Sequence, residues 1–220
     1  MIWVVEISGV RGMGIPAGEE EFFTSAQAAV LLLRERHSGA RVYCQGTESL
    51  IRELRQAGID LTTEVEPVDV VLTGFDTELT MEKLRRTCQI LTEQKNAAYY
   101  ATNPDLVCPV SFGYVPDCGS VSVMLRNATG REPIFIGKPQ PTMIRIVMEK
   151  LSCTPEETVV VGDRVYTDVA SGYNAGVDTI GVLSGEAAVS DFRNTDTPPT
   201  YVFQNVREIW QALNSEASER

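Results

Sequence analysis

Short apolar runs alternate with longer stretches in which apolar residues recur every three or four positions, and the alternation holds along almost the whole chain. Runs of the first kind suit strands of a parallel sheet covered on both faces, and the longer stretches suit the helices that cover them. The expected class is therefore α/β with mainly parallel sheets. "FTSAQAAVLLLRER" predicts a helix capped by Thr24 or Ser25, and "ARVYC" a short strand. "GTESLIRELRQAG" predicts a helix between an N-cap at Thr47 and a terminating Gly58. "VDVVLTGF" predicts a buried strand, and "TMEKLRRTCQILTEQK" a helix with Leu84, Cys88 and Leu91 on one face. "AAYYATNPD" reads as a strand leaving into a loop, residues 106–118 as an ordered loop rich in Pro, Gly and Cys, and "SVSVMLRNATG" as a helix ending at Gly130.

The second half follows the same rhythm. "EPIFIGKPQPTMIRIVMEKL" gives a strand, a Gly-Lys-Pro turn and a long helix. "TPEE" is a capping-box sequence, with Glu157 three residues after Thr154. "TVVVG" and "DTIGVLSG" are strands, a polar loop follows, and "TYVFQNVREIWQAL" supplies a last strand and helix. There is no internal repeat, and a domain boundary is expected near residues 130–133. In open parallel sheets, ligands gather at the C-terminal ends of strands. The turns after Ile136, Val161 and Val182 are where chemistry should be sought.

Composition narrows the function. The chain of 220 residues is 43% hydrophobic, and no apolar run nears the roughly 20 residues that span a bilayer. "MIWVVEISG" is short for a signal segment and has no basic flank, so a cytoplasmic protein without a membrane partner is expected. Nineteen basic against 30 acidic residues give a net charge of −11, which argues against nucleic-acid binding. A phosphorylated small molecule stays open as a partner, because one local cation and a metal ion override a distant negative field. The five cysteines contain no CxxC and read as free thiols. The single histidine, His37, cannot build a histidine metal site or a Ser-His-Asp triad, and it reads as a helix-end residue.

Three residues stand apart. Lys138 follows Gly137 at a strand end and precedes a helix, where its charge adds to that of the helix N-terminus. Asp163 follows Gly162, again at a strand end, and Asp168 is expected in the first turn of the next helix, on a connection that can bend back towards Asp163. Two hard oxygen ligands suit Mg²⁺, which takes one or two carboxylates and completes its shell with water and phosphate oxygens. A lysine, two carboxylates and a metal form a phosphate-handling set. Each acid also has an ordinary structural reading, as a dipole or turn partner.

"IGKPQPTM" together with "VVVGDRVYTDVASGYNAGVDTIGVLSG" resembles the third and fourth motifs of the haloacid dehalogenase superfamily, closest to its NagD-like, 4-nitrophenylphosphatase-like branch. "GARVYCQGTESLIRELRQAGID", "VDVVLTGFDTELTMEKL" and "YYATNPD" resemble that branch's large α/β cap. The resemblance implies a Rossmann-like core, here partial, with residues 1–20 as a remnant of it that could supply a core strand, 21–131 as the cap and 132–220 as the core bearing the Lys and Asp motifs. It also implies Mg²⁺ and hydrolysis of phosphomonoesters, of the sugar-phosphate or 4-nitrophenyl phosphate type, through an aspartyl-phosphate. By matching positions, Lys138 would be catalytic, steadying the transferring phosphoryl group. Asp163 would ligate the metal, and Asp168 would support it directly or through water. Thr102, Asn103 and Asp105 would contact substrate from the cap, and the cap would pair two copies in a homodimer.

The first motif of that family, Asp-x-Asp-Gly, occurs nowhere in the sequence, and neither does a Thr-Asn-Asn run ahead of the cap. "IWVVEISG" overlays the first motif with Glu6 in place of the nucleophile and Ser8 in place of the acid, a degenerate version at best. A natural truncation or a shortened reading frame would equally explain the missing motifs. The expected function is a phosphatase by descent whose turnover is impaired or absent. The alternative is a non-catalytic pseudoenzyme serving as a binding or dimerisation module. A nucleotide-binding reading fails at "SGVRGMG", which lacks the GxGxxG spacing.

Overall fold

The structure is a computed structural model that describes residues 11, 12, 14, 16, 18 and 21–217. Glu6, Ser8 and most of the expected 1–20 remnant lie outside the described residues. The chain divides into two compact units, Met1–Gly137 and Lys138–Arg220.

The first unit opens with α1 (Ser25–Arg36), set by a capping box between Thr24 and Gln27. Strand β1 (Arg41–Gln45) follows, then α2 (Glu48–Gln56), capped where Thr47 Oγ1 accepts from Leu50 N. Gly58, at φ +77°, takes the left-handed position that ends α2, as its place in the sequence predicts. The unit continues through β2 (Asp60–Thr62), β3 (Val70–Thr73), α3 (Met81–Glu93) and β4 (Ala98–Ala101). A hairpin of β5 (Val107–Val110) and β6 (Gly113–Pro116), helix α4 (Cys118–Thr129) and β7 (Ile134–Phe135) complete it.

Five of these strands form a parallel sheet in the order β2-β1-β3-β4-β7. All four residues of β3 are buried, which is why that strand reads as an unbroken apolar run. Tyr43, Val71, Ile90, Leu91, Tyr99, Val121 and Leu125 form a core between the sheet and α3 and α4, and Leu84 and Cys88 of the predicted face pack against it. Two expectations change here. Residues 106–118 form an antiparallel hairpin rather than a loop, its strands holding register from Val107–Pro116 to Val110–Gly113. β7 pairs with β4, and Gly137 N–H still donates to Thr102 O, so 132–137 belong with the first unit and not with the second.

The strand order reverses between β1 and β3, the place where open α/β sheets leave a crevice. Here the crevice is filled by the unit's own side chains. The Leu50 methyl lies 2.7 Å from where a Cβ would stand on either Gly46 or Gly74. Lys83 Nζ donates to Gly46 O at 3.0 Å and to the Asp76 carboxylate at 2.9 and 3.2 Å, and the Asp76 side chain is fully buried. His37 ends α1 and bonds Tyr100 through Nε2 and Oη at 2.9 Å, a structural position.

The second unit runs from α5 (Thr142–Leu151) through a 3₁₀ turn to β8 (Val159–Gly162), a π-helical turn Val165–Val169 and α6 (Ala170–Ala175). Then come β9 (Asp178–Val182), the short α7 (Val189–Arg193), β10 (Tyr201–Phe203) and α8 (Val206–Ala217). Its described strands form a parallel sheet in the order β10-β9-β8. Gly172 lets α6 close on β9, since a Cβ there would stand 2.3 Å from Thr179 Cγ2. No helix among the described residues is long and apolar enough to cross a membrane.

Two outcomes follow from this packing. Lys83→Met strands the buried Asp76 carboxylate and should lower unfolding stability by about 2–4 kcal/mol in urea, below the full penalty for a dry pair because Lys83 is partly exposed. Burial pushes the Cys44 thiol up to about 12 and raises that of Cys118 as well, so both stay protonated at neutral pH. A disulfide reagent added to native protein should leave these two thiols unlabelled until denaturant is present.

Candidate functional site

β8 delivers Asp163 at its C-terminal end, and the π-helical turn carries Asp168. The Val169 N–H reaches back five residues to Arg164 O at 3.1 Å, one residue further than an α-helix would. Asp168 was expected in the first turn of an α-helix. The wider turn places its side chain over Gly162, where a Cβ would stand 2.2 Å from Asp168 Cβ. Arg164 N–H donates to Asp168 Oδ2 at 3.3 Å, and Lys138 Nζ donates to Oδ1 at 2.6 Å. The Asp168 side chain is 14% exposed and that of Lys138 47%. The lysine therefore keeps donors facing solvent while one holds the carboxylate.

Asp163 is held differently. Its Oδ2 accepts from Glu186 N–H at 2.8 Å and its carbonyl from Ala187 N–H at 3.2 Å, both in the loop after β9. Gly185 makes that approach possible, since a Cβ there would meet Asp163 Oδ2 at 2.0 Å. Oδ1 of Asp163 takes no hydrogen bond among the described residues. Glu186 in turn binds Arg164 Nε at 2.8 Å and Tyr166 Oη at 2.9 Å. The sequence pointed to the turn after Val182 but singled out no residue in it. The readable signal there was "SGE", a glycine directly before an acid.

Lys138 and Asp168 thus come together over the end of β8, and Asp163 directly follows that strand. Both Asp168 oxygens are engaged, while Asp163 keeps one open among the described residues. No group of three or more His, Cys, Asp or Glu among the described residues is arranged to hold a metal. A single open carboxylate oxygen fits an ion such as Mg²⁺, which draws most of its shell from water and phosphate, and does not fit a dedicated protein cage. Thr102, Asn103 and Asp105 lie in the first unit, in the turn after β4. Asn103 Oδ1 accepts from Asp105 N–H at 3.1 Å, an Asx turn, and Asp105 O accepts from Gly119 N–H at 2.8 Å. Thr102 is 4% exposed. What the structure shows of these three is the turn itself.

The chain is similar to known proteins in sequence and in fold. A family model described as "HAD-hyrolase-like" matches residues 135–209, and one described as "Haloacid dehalogenase-like hydrolase" matches residues 7–60. The acid sugar phosphatase of Staphylococcus aureus (strain MRSA252) is 37% identical over 199 residues, covering 90% of this chain and 76% of that protein. The 4-nitrophenylphosphatase of Thermotoga maritima superposes with a TM-score of 0.85 at 35% identity, over 94% of this chain and 78% of that one. NagD from E. coli K-12 superposes with a TM-score of 0.84 at 30% identity, over 94% and 79%. The chain belongs to the haloacid dehalogenase superfamily, in its NagD-like, 4-nitrophenylphosphatase-like branch.

Proposed function

We propose that the second unit carries the phosphoryl-binding wall of a Mg²⁺-dependent phosphomonoesterase that takes a phosphorylated small molecule. The observation that carries this reading is the Lys138–Asp168 contact at 2.6 Å beside an Asp163 with one oxygen open. Asp168 fixes the Lys138 ammonium, whose remaining donors would receive phosphoryl oxygens. Asp163 would hold Mg²⁺ through Oδ1, and Asp168 would act through Lys138 and through water rather than by direct ligation. When bound, the ion would offset charge on the phosphoryl oxygens. The names of the relatives, acid sugar phosphatase and 4-nitrophenylphosphatase, support small phosphomonoesters as the substrate class.

The sequence contains no Asp-x-Asp-Gly to supply an attacking carboxylate. An aspartyl-phosphate route without its nucleophile loses many orders of magnitude in rate. Binding of phosphate would outlast turnover. The alternative, a non-catalytic module that pairs with a second copy, draws on the β5–β6 hairpin, where Phe112 is 81% and Tyr114 67% exposed. Light scattering that finds only monomer at high concentration counts against it.

The test uses the full chain with Mg²⁺. Hydrolysis of 4-nitrophenyl phosphate should lie at the detection limit. Inorganic phosphate should still bind by calorimetry, and Lys138→Ala and Asp163→Asn should each abolish that binding. Brisk hydrolysis lost in either variant would overturn the impairment. Phosphate binding that neither substitution affects would overturn the site.

A further inference from the structure

We infer that Glu186 is a positioning residue for Asp163, a carboxylate latch that holds the loop after β9 so that Asp163 Oδ1 stays open to a divalent cation. The inference rests on the proposed role of Asp163. Between Gly185 and Ala188 the loop has one polar side chain, that of Glu186. Gly185 has no side chain, Ala187 and Ala188 have no polar one, and both bonds onto Asp163 come from main-chain N–H groups at Glu186 and Ala187.

Glu186 grips the opposite segment at two levels. Its main chain donates to Asp163 Oδ2 at 2.8 Å. Its carboxylate binds Arg164 Nε at 2.8 Å and Tyr166 Oη at 2.9 Å, one residue after Asp163 and two before Asp168. The latch therefore ties the donor of the Asp163 bond to the connection that carries both acids. Asp163 Oδ2 is thereby engaged, and Oδ1 is the atom left for an ion.

Magnitude separates this role from a merely structural one. The Glu186 side chain is 48% exposed, and an ion pair so exposed contributes little to folding. Partners that orient a metal ligand nevertheless change affinity by about 10–100-fold. Loss of the latch should register in cation affinity and not in melting temperature.

The test measures Mn²⁺ binding to the full chain by the electron paramagnetic resonance of the free ion, with melting temperature read in EDTA. Asp163→Asn should abolish binding. Glu186→Ala should weaken it about tenfold at unchanged melting temperature, and Glu186→Gln, which keeps an oxygen acceptor, should recover part of the loss. Should Glu186→Ala not fold, Tyr166→Phe removes one of the two carboxylate bonds and should weaken binding about two- to threefold. If Asp163→Asn binds like the unaltered chain, or if the unaltered chain does not bind at all, the role of Asp163 fails and the latch with it. If Asp163→Asn abolishes binding while Glu186→Ala or Tyr166→Phe retains full affinity, the latch alone is overturned.

Discussion

Asp168 reaches Lys138 because position 162 has no side chain. A Cβ there would stand 2.2 Å from the Cβ of Asp168, well inside contact distance. The absent methyl lets the π-helical turn fold its acid back over the end of β8. The 2.6 Å bond to Lys138 and the 3.3 Å bond from Arg164 N–H both depend on that return. A second glycine repeats the device from the neighbouring loop, where Gly185 lets main chain come against Asp163. Two missing side chains thus set two carboxylates in different states, one fully engaged and one half open. On the proposed reading, that difference gives them different work.

The first unit shows the contrary outcome at the strand ends of a parallel sheet. Its sheet reverses order between β1 and β3, which commonly leaves room for a ligand. Leu50 fills that space from one side, and the buried Asp76 with Lys83 ties the two strand ends together. Chemistry is therefore sought at the second unit's strand ends, while the first unit is built as a packed body with an exposed apolar hairpin.

Much of this was legible in the sequence, for reasons that can be named. The helix ends at Thr24, Thr47 and Gly58 announced themselves through local hydrogen-bonding and φ requirements, which no distant contact overrides. β3 was legible because a strand buried on both faces has no polar side. Lys138 and Asp163 could be placed at strand ends because each directly follows a glycine, and Asp168 in the turn after β8 because of its five-residue spacing from Asp163. The hairpin at 107–116 was not, because Pro and Gly mask its alternation and both strands are largely exposed. The boundary was placed too early because β7 is two residues long and declares its sheet only through pairing with β4. The hold of Glu186 on Asp163 was invisible, since the two lie 23 residues apart and meet only in the fold.

The central claim is that Asp163 offers a cation its open oxygen while Asp168 serves Lys138. The most direct measurement is a crystal structure of the full chain grown with Mn²⁺ and phosphate, with the metal located by its anomalous scattering. The account predicts Mn²⁺ within about 2.2 Å of Asp163 Oδ1, phosphate against Lys138 Nζ, and Asp168 still paired to the lysine. Metal bound directly to both carboxylates with Lys138 released, or no metal at Asp163, would contradict it.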